Sequence, residues 1–232
     1  MMSHRDLITQ VFGPGACGNA LFCGAPGGLR FEMSEGGAPL DQVLTALRKA
    51  TEILEFVFCG REVILICLRR HMGTGPFSLR RPLRELALAG ISIPEQREIW
   101  VESVPLDERW DENVEEWNAF VAFEFPIARL QSLLWCAFAT DFGSFRPNPQ
   151  CSFYLMDIER CLLAHPYDDR GMDLIGENHE LLSQVYFRFN SMLLDHDRAT
   201  MDKTFKLEDT QFQRTPEGAA EQKRSPNWHT SW

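Results

Sequence analysis

The chain has 232 residues, 44% of them apolar and 11% aromatic, which excludes general disorder and leaves room for one large domain or two small ones. Its formal net charge of −10 argues against a phosphate-coated partner such as nucleic acid and in favour of a basic one. The longest strongly apolar run, Val63-Ile64-Leu65-Ile66-Cys67-Leu68, is six residues, against the roughly 20 that cross a bilayer, and the opening MMSHRDLITQVFG carries no secretory pattern, so a cytoplasmic protein with no membrane partner is expected.

In chain order, the first feature is GPGACGNALFCGAPGG, residues 13–28, with six glycines and two prolines. Gly13, Gly15 and Gly18 formally spell G-x-G-x-x-G, but a dinucleotide site needs a helix opening at the third glycine, and Pro26, Gly27 and Gly28 break one early. A coiled surface loop is expected. LRFEM then reads as a short strand, and Pro39 opens a helix over 39–58, with Leu40, Val43, Leu44, Leu47, Leu54 and Val57 at helical spacing. EVILICL, continuously apolar and β-branched, predicts a strand buried on both faces.

Residues 69–84 hold five arginines and no acid. This basic island reads as a solvated loop whose arginines pair with the chain's own carboxylates, although arginine forks also suit a phosphate or an acidic partner. EIWVESVP and WNAFVAFEFP follow as strands. Between them lies an acidic loop containing Asp107, Glu108, Asp111, Glu112, Glu115 and Glu116, with Trp110 and Trp117 beside the charges. Pro126 introduces a helix carrying Ile127, Leu130, Leu133, Leu134, Ala137 and Phe138, and the prolines of FGSFRPNPQ end it.

CSFYLMD, CLLAHPY and MDLIG are three more strands. Asn178 caps a helix over 179–195, a short helical piece follows around Ala199 to Phe205, and residues 206–232 read as a polar tail. The order predicts an α+β fold, with about three helices packed on one mixed or mostly antiparallel sheet, as a single domain over 1–205. Strand–helix–strand occurs at 29–68 and again at 118–157, which leaves a pseudo-duplication open. The seven cysteines include no C-x-x-C pair, so reduced core cysteines are expected, with no metal and no cofactor.

The most motif-like stretch is HPYDDRGMDL, residues 165–174. Asp168 and Gly171 suit the first and fourth positions of a type I turn, and Gly171 is expected to supply a backbone angle that valine resists. The alternative is a site formed by Tyr167, Asp168, Asp169, Arg170 and Asp173. A metal would need more ligands, because alternate residues of a strand face opposite ways. Glu177, His179, Asp195, His196 and Asp197 qualify only by residue type. G-x-S-x-G, a Walker loop and H-E-x-x-H are all missing from the sequence.

LRFEM, FYLMD…HPYDDRGMDLIG and LLSQVYFRFNSMLLDHDRATMDKTF together resemble an uncharacterised bacterial family, a domain of unknown function with a YDDRG-type signature. The resemblance covers roughly residues 7–205. It implies a bacterial intracellular protein and carries no activity or site with it.

Two functions follow as expectations. The first is a non-catalytic protein-binding module, most concretely an immunity or antitoxin-like protein that covers a basic toxin surface with Asp107, Glu108, Trp110, Asp111, Glu112, Glu115 and Glu116. The second is an enzyme or ligand-binding domain centred on the Tyr167–Asp173 hairpin. A deep polar pocket there would favour the second, and a convex hairpin tip would count against it.

Overall fold

A computed structural model describes residues 2–19, 21–73, 79–109 and 111–212. Seven strands form one sheet: β1 (Leu29–Glu32), β2 (Val63–Gly73), β3 (Glu98–Ser103), β4 (Trp117–Pro126), β5 (Ser152–Asp157), β6 (Leu162–Asp168) and β7 (Gly171–Gly176). Their spatial order is β1-β7-β6-β5-β2-β4-β3, and every pairing is antiparallel. The α+β class is therefore as expected. The two strand–helix–strand units are not equivalent, because β7, β6 and β5 lie between β1 and β2, whereas only β2 lies between β4 and β5.

Seven α-helices occur among the described residues, where about three were expected: α1 (His4–Phe12), α2 (Leu21–Gly24), α3 (Pro39–Val57), α4 (Arg80–Leu88), α5 (Leu130–Phe138), α6 (His179–Arg188) and α7 (Arg198–Phe212). Three of them escape a pattern reading for different reasons. In α1 the cap is Ser3, whose side chain accepts from the Asp6 N–H, and only Ile8 is fully buried, so its apolar stripe is thin. In α2 a single turn is too short to show a period. In α4 four charged side chains surround Leu83 and Leu86, and arginine content hides the apolar side that packs beneath it.

Period-two alternation divides the sheet into two faces. On the first, Ile64, Ile66 and Leu68 of β2, Val121 and Phe123 of β4 and Phe153 and Leu155 of β5 meet Ala46, Ala50, Ile53 and Leu54 of α3 and Leu133, Leu134 and Phe138 of α5. This is the larger core. On the second face, Leu65 and Cys67 of β2, Phe120 and Ala122 of β4, Tyr154 and Met156 of β5, Leu163 of β6 and Ile175 of β7 meet Ile8, Ala16, Cys17 and Leu21. Strand β2 is thus buried on both sides, as its unbroken apolar run requires.

The glycine-rich segment is not the surface loop expected. Ala16, Cys17 and Leu21 are buried, and the segment lies flat on the second sheet face. Small residues allow that approach: a Cβ on Gly28 would stand 3.0 Å from the Ile175 side chain. Residues 69–84 are likewise no single loop. Strand β2 runs to Gly73 and α4 starts at Arg80, with 74–78 outside the described residues. Among the described residues, only Arg84 of the island bonds to a carboxylate, that of Glu85. Arg70 donates to the Pro149 and Gln150 carbonyls.

Helix α6 stops at Arg188 rather than 195. Beyond it the chain turns back as extended backbone, with Leu193 bridged to Phe31 and the Leu194 N–H donating to the Arg30 carbonyl. Helix α7 then continues through Phe212, past the tail boundary expected at 206. It is fixed by buried Met201 and Phe205 and by the Tyr186 hydroxyl donating to Asp202 at 2.5 Å. Residues 213–232, the rest of that tail with Trp228 and Trp232, lie outside the described residues. No helix among the described residues is long and apolar enough to cross a membrane.

Candidate functional site

The β6–β7 hairpin takes its shape from Asp168. One carboxylate oxygen accepts from the Arg170 N–H at 2.9 Å and from the Gly171 N–H at 3.2 Å, and the other accepts from the Arg170 guanidinium. Tyr167 is an extra residue in the ladder, since Pro166 pairs with Met172 and Asp168 with Gly171. The phenol ring crosses directly over Gly171, where a Cβ would fall 1.8 Å from the hydroxyl oxygen. Gly171 does not adopt a left-handed φ, so close approach of a ring, not a turn angle, requires glycine here.

The three aspartates are engaged separately. Asp169 is 3% exposed and accepts from the Ser34 hydroxyl at 3.1 Å, and burial raises its carboxyl above the usual carboxylate range. Asp173 is 1% exposed and takes both Arg30 Nε at 2.8 Å and an Arg30 terminal nitrogen at 3.1 Å. It also accepts from the Phe22 N–H at 3.1 Å, which ties α2 to the sheet. Asp173 holds the Arg30 guanidinium above its ordinary range, and Asp197 adds a second ion pair at 3.2 Å.

Of the residues that qualified by type, Asp197 joins this network, Asp195 pairs with Arg198, and His179 packs edge-on against Phe205. Among the described residues, no group of three or more His, Cys, Asp or Glu is arranged to hold a metal ion. His165 is buried, stacks on Tyr154 at 4.3 Å and shares a hydrogen bond with the Phe153 carbonyl; burial pushes its pKa down to about 4, so the ring is neutral at pH 7.

The acidic loop is not one uniform front. Glu116 is 7% exposed, with one carboxylate oxygen buried and lacking a hydrogen bond, 3.6 Å from His71 Nε2. Glu108 accepts from the Asn19 amide at 2.8 Å, and Asp111 accepts from the backbone and side chain of Asn113. Glu112 and Glu115 are exposed, and Trp117 is partly so. Trp110 and the side chain of Asp107 lie outside the described residues.

Sequence reasoning missed a cleft on the second sheet face. Two connected hollows, of about 220 and 270 Å³, share Asn19, Arg69, Glu108 and Asn118. The larger is polar, with His71, Ser152 and Tyr167 on its walls; the smaller is mixed, with Ile8, Ala16, Trp100 and Phe120 on one side and Arg5, Glu102 and Ser103 beside them. Sheet register makes the floor: Arg69 lies opposite Phe120 on one side and Ser152 on the other, and His71 opposite Asn118. The bulge at Tyr167 brings one hairpin residue to the same cleft.

Arg69 is the centre of this floor. It donates to the Asn19 side-chain amide oxygen and to the Ser152 hydroxyl, and its guanidinium lies 5.7 Å from the Tyr154 ring centroid. No carboxylate of a described residue lies within ion-pair distance of it. Such a partly buried arginine, with neutral partners and a hollow in front, can take a carboxylate or phosphate in a forked pair of hydrogen bonds.

No curated protein and no solved structure gives a significant match. The family model "Domain of unknown function (DUF3885)" matches residues 5–197, from α1 through the last strand and past α6, including the hairpin and the cleft. With most of its length matched in this way, the chain belongs to the DUF3885 family.

Proposed function

We propose that the protein is a ligand-binding domain whose site is the cleft on the second sheet face, with Arg69 taking an anionic group of a small molecule. One observation carries this reading: in a chain with ten excess negative charges, a half-buried arginine at the floor of a hollow bonds only to neutral groups among the described residues. Removing a cation from water is costly without a counter-charge, and a ligand anion supplies one. Tyr167 links the site to the hairpin that the sequence singles out.

Benzoate and inorganic phosphate are suitable probes, with thermal melting and calorimetric titration as readouts. The full chain gains saturable stability with at least one of them; at a hundredfold excess over Kd the gain is about 2.7 kcal/mol. Arg69→Met abolishes the gain, and Arg69→Lys keeps part of it. Equal binding by Arg69→Met, or no saturable binding by either probe, overturns the reading.

A second reading rests on the exposed Glu112 and Glu115 and on the net charge of −10. It is a non-catalytic module for a basic protein, in its most concrete form an immunity or antitoxin-like protein of a bacterial cytoplasm. Charge reversal at Asp111 and Glu112 then slows association with that partner and flattens its salt dependence. An association rate indifferent to both changes removes the loop from the interface.

A further inference from the structure

The cleft floor carries two opposite charges held one carboxamide apart. Asn19 accepts from Arg69 through its side-chain oxygen and donates to Glu108 through its side-chain nitrogen at 2.8 Å. Arg69 and Glu108 both line both hollows, so the pair stands between the polar hollow and the one that holds the aromatic wall. A simple anion would meet attraction from Arg69 and repulsion from Glu108, and a phosphate dianion would meet most. It would also approach against the field of an acidic chain. A net-neutral zwitterion satisfies both charges and is not repelled at long range.

The aromatic wall of the smaller hollow adds shape to the charge argument. Trp100 and Phe120 stack at 5.1 Å with ring planes 7° apart, and with Ile8 and Ala16 they wall a hollow of about 220 Å³ beside the pair. Trp100 is fixed in place by donating to Glu102 at 3.0 Å, and Glu102 is in turn held by Arg5 at 2.7 Å. An ordered aromatic wall next to a charge pair suits a molecule with one apolar group attached to its charged end.

Resting on the proposed anion-binding role of Arg69, we infer that the ligand class is a free α-amino acid with a large apolar side chain. Its carboxylate lies on Arg69, its ammonium on Glu108, and its side chain in the lobe walled by Trp100 and Phe120. An α-amino acid carries its charges on adjacent groups of one carbon, which matches the short span that Asn19 bridges.

The test is calorimetric titration of the full chain with L-phenylalanine, N-acetyl-L-phenylalanine, L-phenylalanine amide, glycyl-L-phenylalanine and benzoate. Phenylalanine binds at least tenfold tighter than each of its three derivatives. Glu108→Gln removes the preference over the N-acetyl compound and retains benzoate binding; Arg69→Met loses both phenylalanine and benzoate. If benzoate binds through Arg69 but phenylalanine binds no tighter than its N-acetyl form, the zwitterion assignment fails and the anion site stands. If glycyl-phenylalanine binds as tightly as phenylalanine, a free amino acid is overturned in favour of a peptide terminus. If neither benzoate nor phosphate binds, the cleft reading and this inference fall together.

Discussion

The Tyr167–Asp173 hairpin and the Arg69 cleft share one face of the sheet and treat charge in opposite ways. In the hairpin, Asp168 is answered by Arg170 and two backbone N–H groups, Asp169 by Ser34, and Asp173 by Arg30. In the cleft, the hydrogen bonds of Arg69 to described residues go to an amide and a hydroxyl, and its guanidinium faces the Tyr154 ring. Density of charged residues along the chain is therefore a poor guide to function. A cluster that satisfies itself is architecture, while a charge bonded only through neutral groups beside a hollow marks a place for something else.

The largest effect that would expose this contrast is Asp173→Ala. It leaves Arg30 buried with Asp197 alone and frees the Phe22 N–H, and breaking a buried pair from one side costs about 3–5 kcal/mol. Chemical denaturation measures it; a loss below about 1 kcal/mol would move the hairpin out of the architectural class.

Acid should reveal the second-largest effect. His165 has a folded pKa of about 4 against an ordinary 6.5, so the unfolded chain binds its proton first as pH falls. The stability contribution is whole above 6.5 and is lost progressively toward pH 4, by at most about 3 kcal/mol. Denaturation at pH 7 and pH 5 should show a smaller acid loss in His165→Phe than in the parent. Equal losses would mean that the ring is not held neutral.

Gly171→Val comes next. Its methyl groups collide with the Tyr167 ring, and overpacking of this kind costs about 1–3 kcal/mol, or a Tm fall of several degrees. Tyr167→Ala in the same chain should restore much of the loss. A double variant no more stable than Gly171→Val would return the explanation to backbone conformation.

Arg69→Met should change stability least, by under about 1 kcal/mol in the absence of ligand, since no buried partner charge is stranded. A loss comparable to that of Asp173→Ala would show that Arg69 is as structural as the hairpin.

How much of this the sequence discloses depends on the distance over which each feature is encoded. Helix α3 is readable almost to the residue, 39–57 against an expected 39–58, because proline opens it and its stripe is local. The hairpin turn is readable too, since Asp168 makes its bonds within three residues. The reason for Gly171 is not, because it depends on a ring aimed by an irregularity in the ladder. The burial of the glycine-rich segment depends on Leu65, Phe120 and Tyr154 from three distant strands. The cleft is hidden for the same reason: Arg69, Asn118, Ser152 and Tyr167 sit on β2, β4, β5 and β6, and only the non-sequential strand order sets them side by side. Alternation within β2 does place Arg69 and His71 on one face, but nothing local tells which face stays open.

The extended return of Leu193 and Leu194 along β1 has a consequence for how copies of this molecule meet. It occupies the outer rim of the first strand in the sheet, where another backbone would otherwise dock. That rim is an end-stop. Strand β3 is the opposite rim, and its Glu98 and Glu102 are both bonded to Arg5. Among the described residues this leaves β3 as the rim open to strand addition, and replacing Glu98 and Glu102 by valine would make that rim adhesive.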